Sequence, residues 1–239
     1  MRRRSFLIAG LGTALLSGSS LLHPPAATMT RRLFDHTALK LYTASDLAFG
    51  TTITMHVLHH DQRSAELAIE DAFGQAKSVD ALMSIHQQSS QVGQLNTHGL
   101  VRHPHPHVLT VLAECRRLSR LTDGAFDITV QPLWAQFSSA SERHALPDEA
   151  VRKQAQALVD WRAVEFNTQQ IRLTKPAMSI TLNGIAQGYA VDLALAAISA
   201  RGIEHALLDT GEFISVGKKM DQAWLVGIQD PRHADQLAI

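Results

Sequence analysis

Residues 182–192 read LNGIAQGYAVD and set two glycines, Gly184 and Gly188, where an apolar run ends and a helical pattern begins. Glycine in a helix interior costs about 1 kcal/mol relative to alanine, so two glycines near one helix start need a reason. One reading is a phosphate-bearing ligand, since a helix N-terminus offers unpaired N–H groups and the positive end of its dipole. The other is a tight strand-to-helix turn packed on a neighbouring element. Neither G-x-G-x-x-G nor the Lys-Ser/Thr of a P-loop is present. A second stretch, TDGAFDITV (122–130), places Asp127 between Phe126 and Ile128; an acid buried there needs a partner. Asp209-Thr210-Gly211-Glu212 closes an apolar strand with polar groups, which suits either a ligand contact or a plain hairpin turn. In HPHPH, the prolines extend the chain, so His103, His105 and His107 do not easily converge on one ion. No G-x-S-x-G elbow supports a hydrolase triad.

These residues sit in a chain of 239 residues, 45% apolar and 18% charged, with 22 basic and 22 acidic side chains. The length suffices for one sizeable core, and a net charge of zero does not suggest a nucleic-acid binder. The single cysteine, Cys115, makes no internal disulfide and falls on a helical apolar stripe. At the start, Arg2-Arg3-Arg4 precede SFLIAGLGTALLSGSSLL and then HPPAAT, the order of a signal peptide over residues 1–27. RRSFLI has the two arginines and following Phe-Leu of a twin-arginine signal, which predicts a periplasmic protein. An uncut membrane anchor is the alternative, although the apolar run is short and broken by Gly and Ser.

The elements that must position the candidates follow from periodicity. Thr51, Ile53, Met55 and Val57 alternate as a strand. Residues 64–85 carry the three-and-four spacing of an amphipathic helix, and SIHQQSSQVGQLN after it reads as a polar loop. Pro106 opens a helix that ends near Gly124. AFDITVQPLW reads as an extended segment closed by Pro132, and 137–148 as a surface loop. Asp148 caps a helix to Leu158, and 164–173 form a hairpin about Asn167. A strand at 178–182, a helix at 185–200 and three short strands (HALLDTG, FISVGK, WLVGIQ) complete the chain. Helices interleaved with hairpins give an α+β domain.

Five segments in order, AFGT, MSIHQQSSQVGQLN, TDGAFDITVQPLW, LNGIAQGYAVD and LLDTGEFISVGKK…WLVGIQDP, resemble the ApbE family of FAD:protein FMN transferases. The His of MSIH and the Asn of LNGIAQGY resemble the NosX-like branch associated with nitrous-oxide respiration. The resemblance implies a single domain over 44–239 of mixed, largely antiparallel sheets with packed helices. It implies FAD contacts at Phe49, His86, Ala125, Phe126, Asp127, Thr181 and Gln187, and a Mg²⁺ contact at the Gly184 carbonyl. Phe49 stands where the family usually has Met, His86 where many members stack a Tyr, and Gln187 where a Lys is usual. No catalytic residue is assigned. The implied reaction moves FMN from FAD to a threonine of a target flavoprotein, a membrane-bound respiratory electron-transfer subunit, with release of AMP. The family pattern continues beyond GIQDP into His-x-x-Asp-Pro-x-x-Gly and metal-binding Asp and Thr side chains. The expectation is therefore a C-terminally truncated chain, with a non-catalytic flavin-binding or maturation partner as the alternative.

Overall fold

The computed structural model describes residues 38–230 and 233–238, so the segment 1–27, expected to be a signal peptide, lies outside the described residues. Strands β1 (Lys40–Ala48) and β2 (Thr51–His59) form an antiparallel hairpin. With β6 (His205–Asp209) and β7 (Phe213–Val216) they make an antiparallel sheet in the order β1-β2-β6-β7. One face of that sheet packs on α1 (Gln62–Met83) and α6 (Ala186–Ala200). Ile53, Met55, Val57 and Leu208 point inward with no exposed surface, each contributing about 1.5–3 kcal/mol through burial.

Alanine decides how the two helices meet. Ala65, Ala68, Ala72 and Ala76 on α1, and Ala190 and Ala194 on α6, are all fully buried. Side chains this small bring the helix axes close, so Ala72→Leu would overpack the seam at a cost of roughly 1–3 kcal/mol. Asp61 starts α1 by accepting a hydrogen bond from Ser64 N at 2.7 Å.

A second antiparallel sheet, order β3-β5-β4, comprises β3 (Leu100–Arg102), β4 (Val164–Phe166) and β5 (Gln170–Leu173). The β4–β5 hairpin turns on Asn167, whose Oδ1 accepts from Gln169 N at 2.8 Å and Gln170 N at 3.0 Å. Helix α3 (Pro106–Leu121) buries Cys115 in the core, and burial pushes its thiol up to about 12. Strands β8 (Ile228–Asp230) and β9 (His233–Ala238) pair with each other. No helix among the described residues is long and apolar enough to cross a membrane.

Several local expectations are corrected. Strand β1 was not anticipated. The polar loop contains helix α2 (Gln91–His98), capped by Ser90 Oγ, which accepts from Gly93 N, and closed by the left-handed Gly99. Pro132 does not close an extended segment. Ile128–Val130 is a single 3₁₀ turn, and Pro132 lies in the first turn of α4 (Gln131–Glu142), where its missing N–H costs nothing. That helix also occupies part of the expected 137–148 loop; α5 (Glu149–Gln156) follows. Residues 178–182 belong to no strand or sheet. Asn96 and Ile128 serve their backbone instead: Ile180 N donates to Asn96 Oδ1 at 2.7 Å, and Thr181 N to Ile128 O at 2.8 Å. Trp224 to Gly227 also lie outside any strand.

Candidate functional site

The start of α6 is left open by its sequence. Ile185 occupies the N-cap position and makes no side-chain capping bond. Leu182 O accepts from Ile185 N at 3.0 Å and from Ala186 N at 2.8 Å, and Tyr189 N donates to Ile185 O at 3.0 Å. The N–H groups of Gln187 and Gly188 make no hydrogen bond within the described residues. A helix with unpaired first-turn donors favours an anion. A Cβ added to Gly184 or Gly188 would meet nothing within 4 Å. No protein atom therefore demands these glycines, and the space over Gly184 is open.

Two hollows meet here. One, about 420 Å³, lies between the Phe49-Gly50 turn, the end of α1 at Asp80 and Met83, His86 and the head of α6. The other is an open groove of about 1020 Å³ bounded by α3, α6 and β7, with Gly184, Gly188 and Tyr189 in its wall. Asn183 and Gln187 line both.

Phe49 reaches the smaller hollow through an unusual turn. Ala48 pairs with Thr51, leaving a two-residue loop in which Phe49 (φ 54°) and Gly50 (φ 72°) both have positive φ. A type I′ turn requires this, but a bulky residue adopts it only under strain. His86 is exposed on the loop between α1 and α2. Ser90 Oγ ties that loop down by donating to Ser84 O at 2.6 Å. Gly93 permits the packing: a Cβ there would overlap Gln87 O and lie 3.1 Å from Gln88 Cα.

The structure thus gathers Phe49, His86 and Gln187 around one cavity, with Gly184 in the adjoining groove. Ala125, Phe126, Asp127 and Thr181 line neither. They form a separate group, joined by the Thr181 N to Ile128 O bond. Asp127 finds its partners locally: Oδ1 accepts from Thr129 N at 2.8 Å and Thr129 Oγ1 at 2.6 Å, and Oδ2 from Trp161 N at 3.0 Å. That carboxylate fixes its own loop.

The sequence reading gave no ligand-contact role to Asp80, Asn183 or Tyr189, although the last two lie in the LNGIAQGYAVD stretch. Tyr189 OH lies 2.7 Å from His107 Nδ1, linking the heads of α6 and α3. Burial, reinforced by His105, lowers the His107 pKa below its ordinary value. His105 Nδ1 accepts from His107 N at 3.1 Å, so two of the three HPHPH imidazoles have structural partners. In the groove, Arg117 pairs with Glu114 at 2.6 Å and holds its carboxyl below the usual range. Among the described residues no three His, Cys, Asp or Glu side chains group so as to hold a metal. Gly184 offers a lone carbonyl, whereas Mg²⁺ usually takes one or two carboxylates. The described residues therefore do not by themselves fit Mg²⁺.

Residues 49–239 match the sequence model of the ApbE family. The chain belongs to the ApbE family. It is 27% identical over 215 residues to a Haemophilus influenzae FAD:protein FMN transferase, covering 84% of this chain and 62% of that protein. A Klebsiella pneumoniae protein of the same name is 25% identical over 198 residues, covering 80% of this chain and 60% of the relative. The chain thus spans about three-fifths of the length of these relatives. Its fold superposes on the Vibrio cholerae flavin transferase ApbE with a TM-score of 0.70 at 21% identity, over 81% of this chain and 65% of that one. It also superposes on the Thermotoga maritima ApbE protein with a TM-score of 0.71 at 25% identity, over 82% and 65%. The mixed antiparallel α+β architecture is that of the family.

Proposed function

We propose that this ApbE-family chain binds FAD at the head of α6 and serves the transfer of FMN to a target flavoprotein. The observation that carries the reading is the uncapped start of α6, with two unpaired N–H groups and a side-chain-free Gly184, opening beside a cavity that gathers Phe49, His86 and Gln187. The diphosphate faces the helix start, where N–H donors and dipole compensate its charge. The flavin occupies the hollow between Phe49 and His86, both able to stack on a planar ring. In the reaction, the hydroxyl oxygen of an acceptor threonine bonds to the FMN-side phosphorus as the bond from that phosphorus to the bridging oxygen breaks. AMP leaves with the bridging oxygen, and the hydroxyl proton passes to solvent.

Mg²⁺ is expected from the family resemblance, and when bound it would neutralise phosphate charge. The described residues contribute at most the Gly184 carbonyl, so no step is assigned to it. That same donor set favours a second reading, a flavin-binding or maturation partner without transferase activity. Export by the twin-arginine route to the periplasm, a place in the NosX-like branch, and a membrane-bound respiratory target complete the proposal on the strength of the N-terminal RRSFLI and the MSIH and LNGIAQGY segments.

Two measurements test it. Flavin fluorescence titration should give saturable FAD binding, and its absence would refute both readings. In-gel fluorescence of a threonine-bearing acceptor incubated with FAD and Mg²⁺ separates them: a labelled acceptor supports the transferase, and binding without labelling supports the partner.

A further inference from the structure

Gln187 occupies the wall shared by cavity and groove, and its carboxamide hydrogen-bonds to no protein group among the described residues. What holds it is the turn between β6 and β7. Thr210 is fully buried, and its Oγ1 donates to Gln187 O at 3.1 Å. Next to it, Gly211 has φ +92°, and its N donates to Asp209 Oδ1 at 2.9 Å. A Cβ on Gly211 would overlap Gln187 Nε2, and would lie 2.9 Å from Cδ and 3.3 Å from Oε1. The carboxamide therefore rests directly on the bare backbone of Gly211. A half-buried amide held by packing, with its donors and acceptor unspent, is arranged to bond something that enters the site.

We propose that Thr210 and Gly211 are positioning residues for ligand binding: the turn grips the first turn of α6 and aims the Gln187 carboxamide into the nucleotide site. Thr210 fixes the main chain of Gln187, and Gly211 fixes its side chain. Gly211→Ala would drive the carboxamide off its seat. This inference rests on the flavin-nucleotide reading above and adds two residues to it.

Gly211→Ala also strains a left-handed backbone, so the test is a double-mutant cycle with Gln187→Ala. FAD affinity is measured by fluorescence titration in the unaltered chain, both single variants and the double variant. Gly211→Ala should weaken FAD about tenfold when Gln187 is present and less than about twofold in the Gln187→Ala background, since the two sites act as one unit. Equal losses in both backgrounds would reduce Gly211 to a backbone requirement and overturn the proposal. Thr210→Val should weaken binding, with Thr210→Ser restoring it; failure of the serine variant to recover affinity counts against the hydroxyl. If the unaltered chain binds no FAD, the functional reading fails. The same cycle scored by thermal unfolding then judges the latch alone, and additive effects on Tm would overturn it.

Discussion

Asn96 on α2 and Ile180, 84 residues further along, exchange two hydrogen bonds. Ile180 N donates to Asn96 Oδ1 at 2.7 Å, and Asn96 Nδ2 donates to Ile180 O at 2.8 Å. One side-chain amide thus replaces the neighbouring strand that the fully buried Ile180 lacks. Asn96→Ala would leave both backbone groups unpaired, at about 1–3 kcal/mol each. Urea unfolding should show a total loss of roughly 2–6 kcal/mol. A loss below 0.5 kcal/mol, on the order of a surface substitution, would mean water replaces the amide freely.

Phe49 should reverse the usual order of glycine and alanine. Its φ of 54° suits glycine, so Phe49→Gly should be more stable than Phe49→Ala by about 1 kcal/mol. Both variants lose the ring and should lose FAD affinity to the same extent. Equal stabilities in chemical denaturation would contradict the strained turn.

Gly184 separates binding from folding. Because a Cβ there meets nothing within 4 Å, Gly184→Val should unfold within about 1 kcal/mol of the unaltered chain. It should nevertheless weaken FAD at least about tenfold by filling the ligand's space. Unchanged affinity in a folded variant would return Gly184 to a purely structural role.

Stability should decline as pH falls below the ordinary histidine value. Burial lowers the pKa of His107, and burial together with Lys219 lowers that of His56, both from 6.5. The unfolded chain therefore takes up protons first. The stability these neutral rings contribute is complete above 6.5 and is lost as pH drops through their folded values. Unfolding midpoints at about pH 7.5 and about pH 5.5 should differ less in His107→Gln than in the unaltered chain. An unchanged difference would exclude His107 as a contributor.

Export is tested at the twin-arginine pair. Arg3→Lys combined with Arg4→Lys should hold the protein in the cytoplasm on cell fractionation. Periplasmic accumulation of the double variant would argue against the twin-arginine route.

The long helices were legible because their apolar spacing matches the turn of a helix, as α1, α3 and α6 show. Helix α2 was not, since Val92 and Leu95 are its only large buried side chains and its caps, Ser90 and Gly99, lie among other polar residues. The run at 178–182 reads as a strand because it is an apolar run ending in Asn183-Gly184, but its hydrogen bonds come from Asn96 and Ile128, far away in sequence. At the site, the open helix start was visible in Asn183-Gly184 and Gly188. The left-handed Phe49 was not, because phenylalanine carries no turn signal. Nor could Asp127 be assigned its partners, since Trp161 reaches it across 34 positions.

The alanine seam between α1 and α6 has a bearing on how a ligand is received. Helices packed so closely have little room to slide, so the seam holds the amides at the head of α6 in a fixed direction. On the proposed function, a nucleotide would dock onto a frame already in place, with little ordering entropy lost at that end of the site. Phe49, Gly50 and His86 form the facing wall of the cavity.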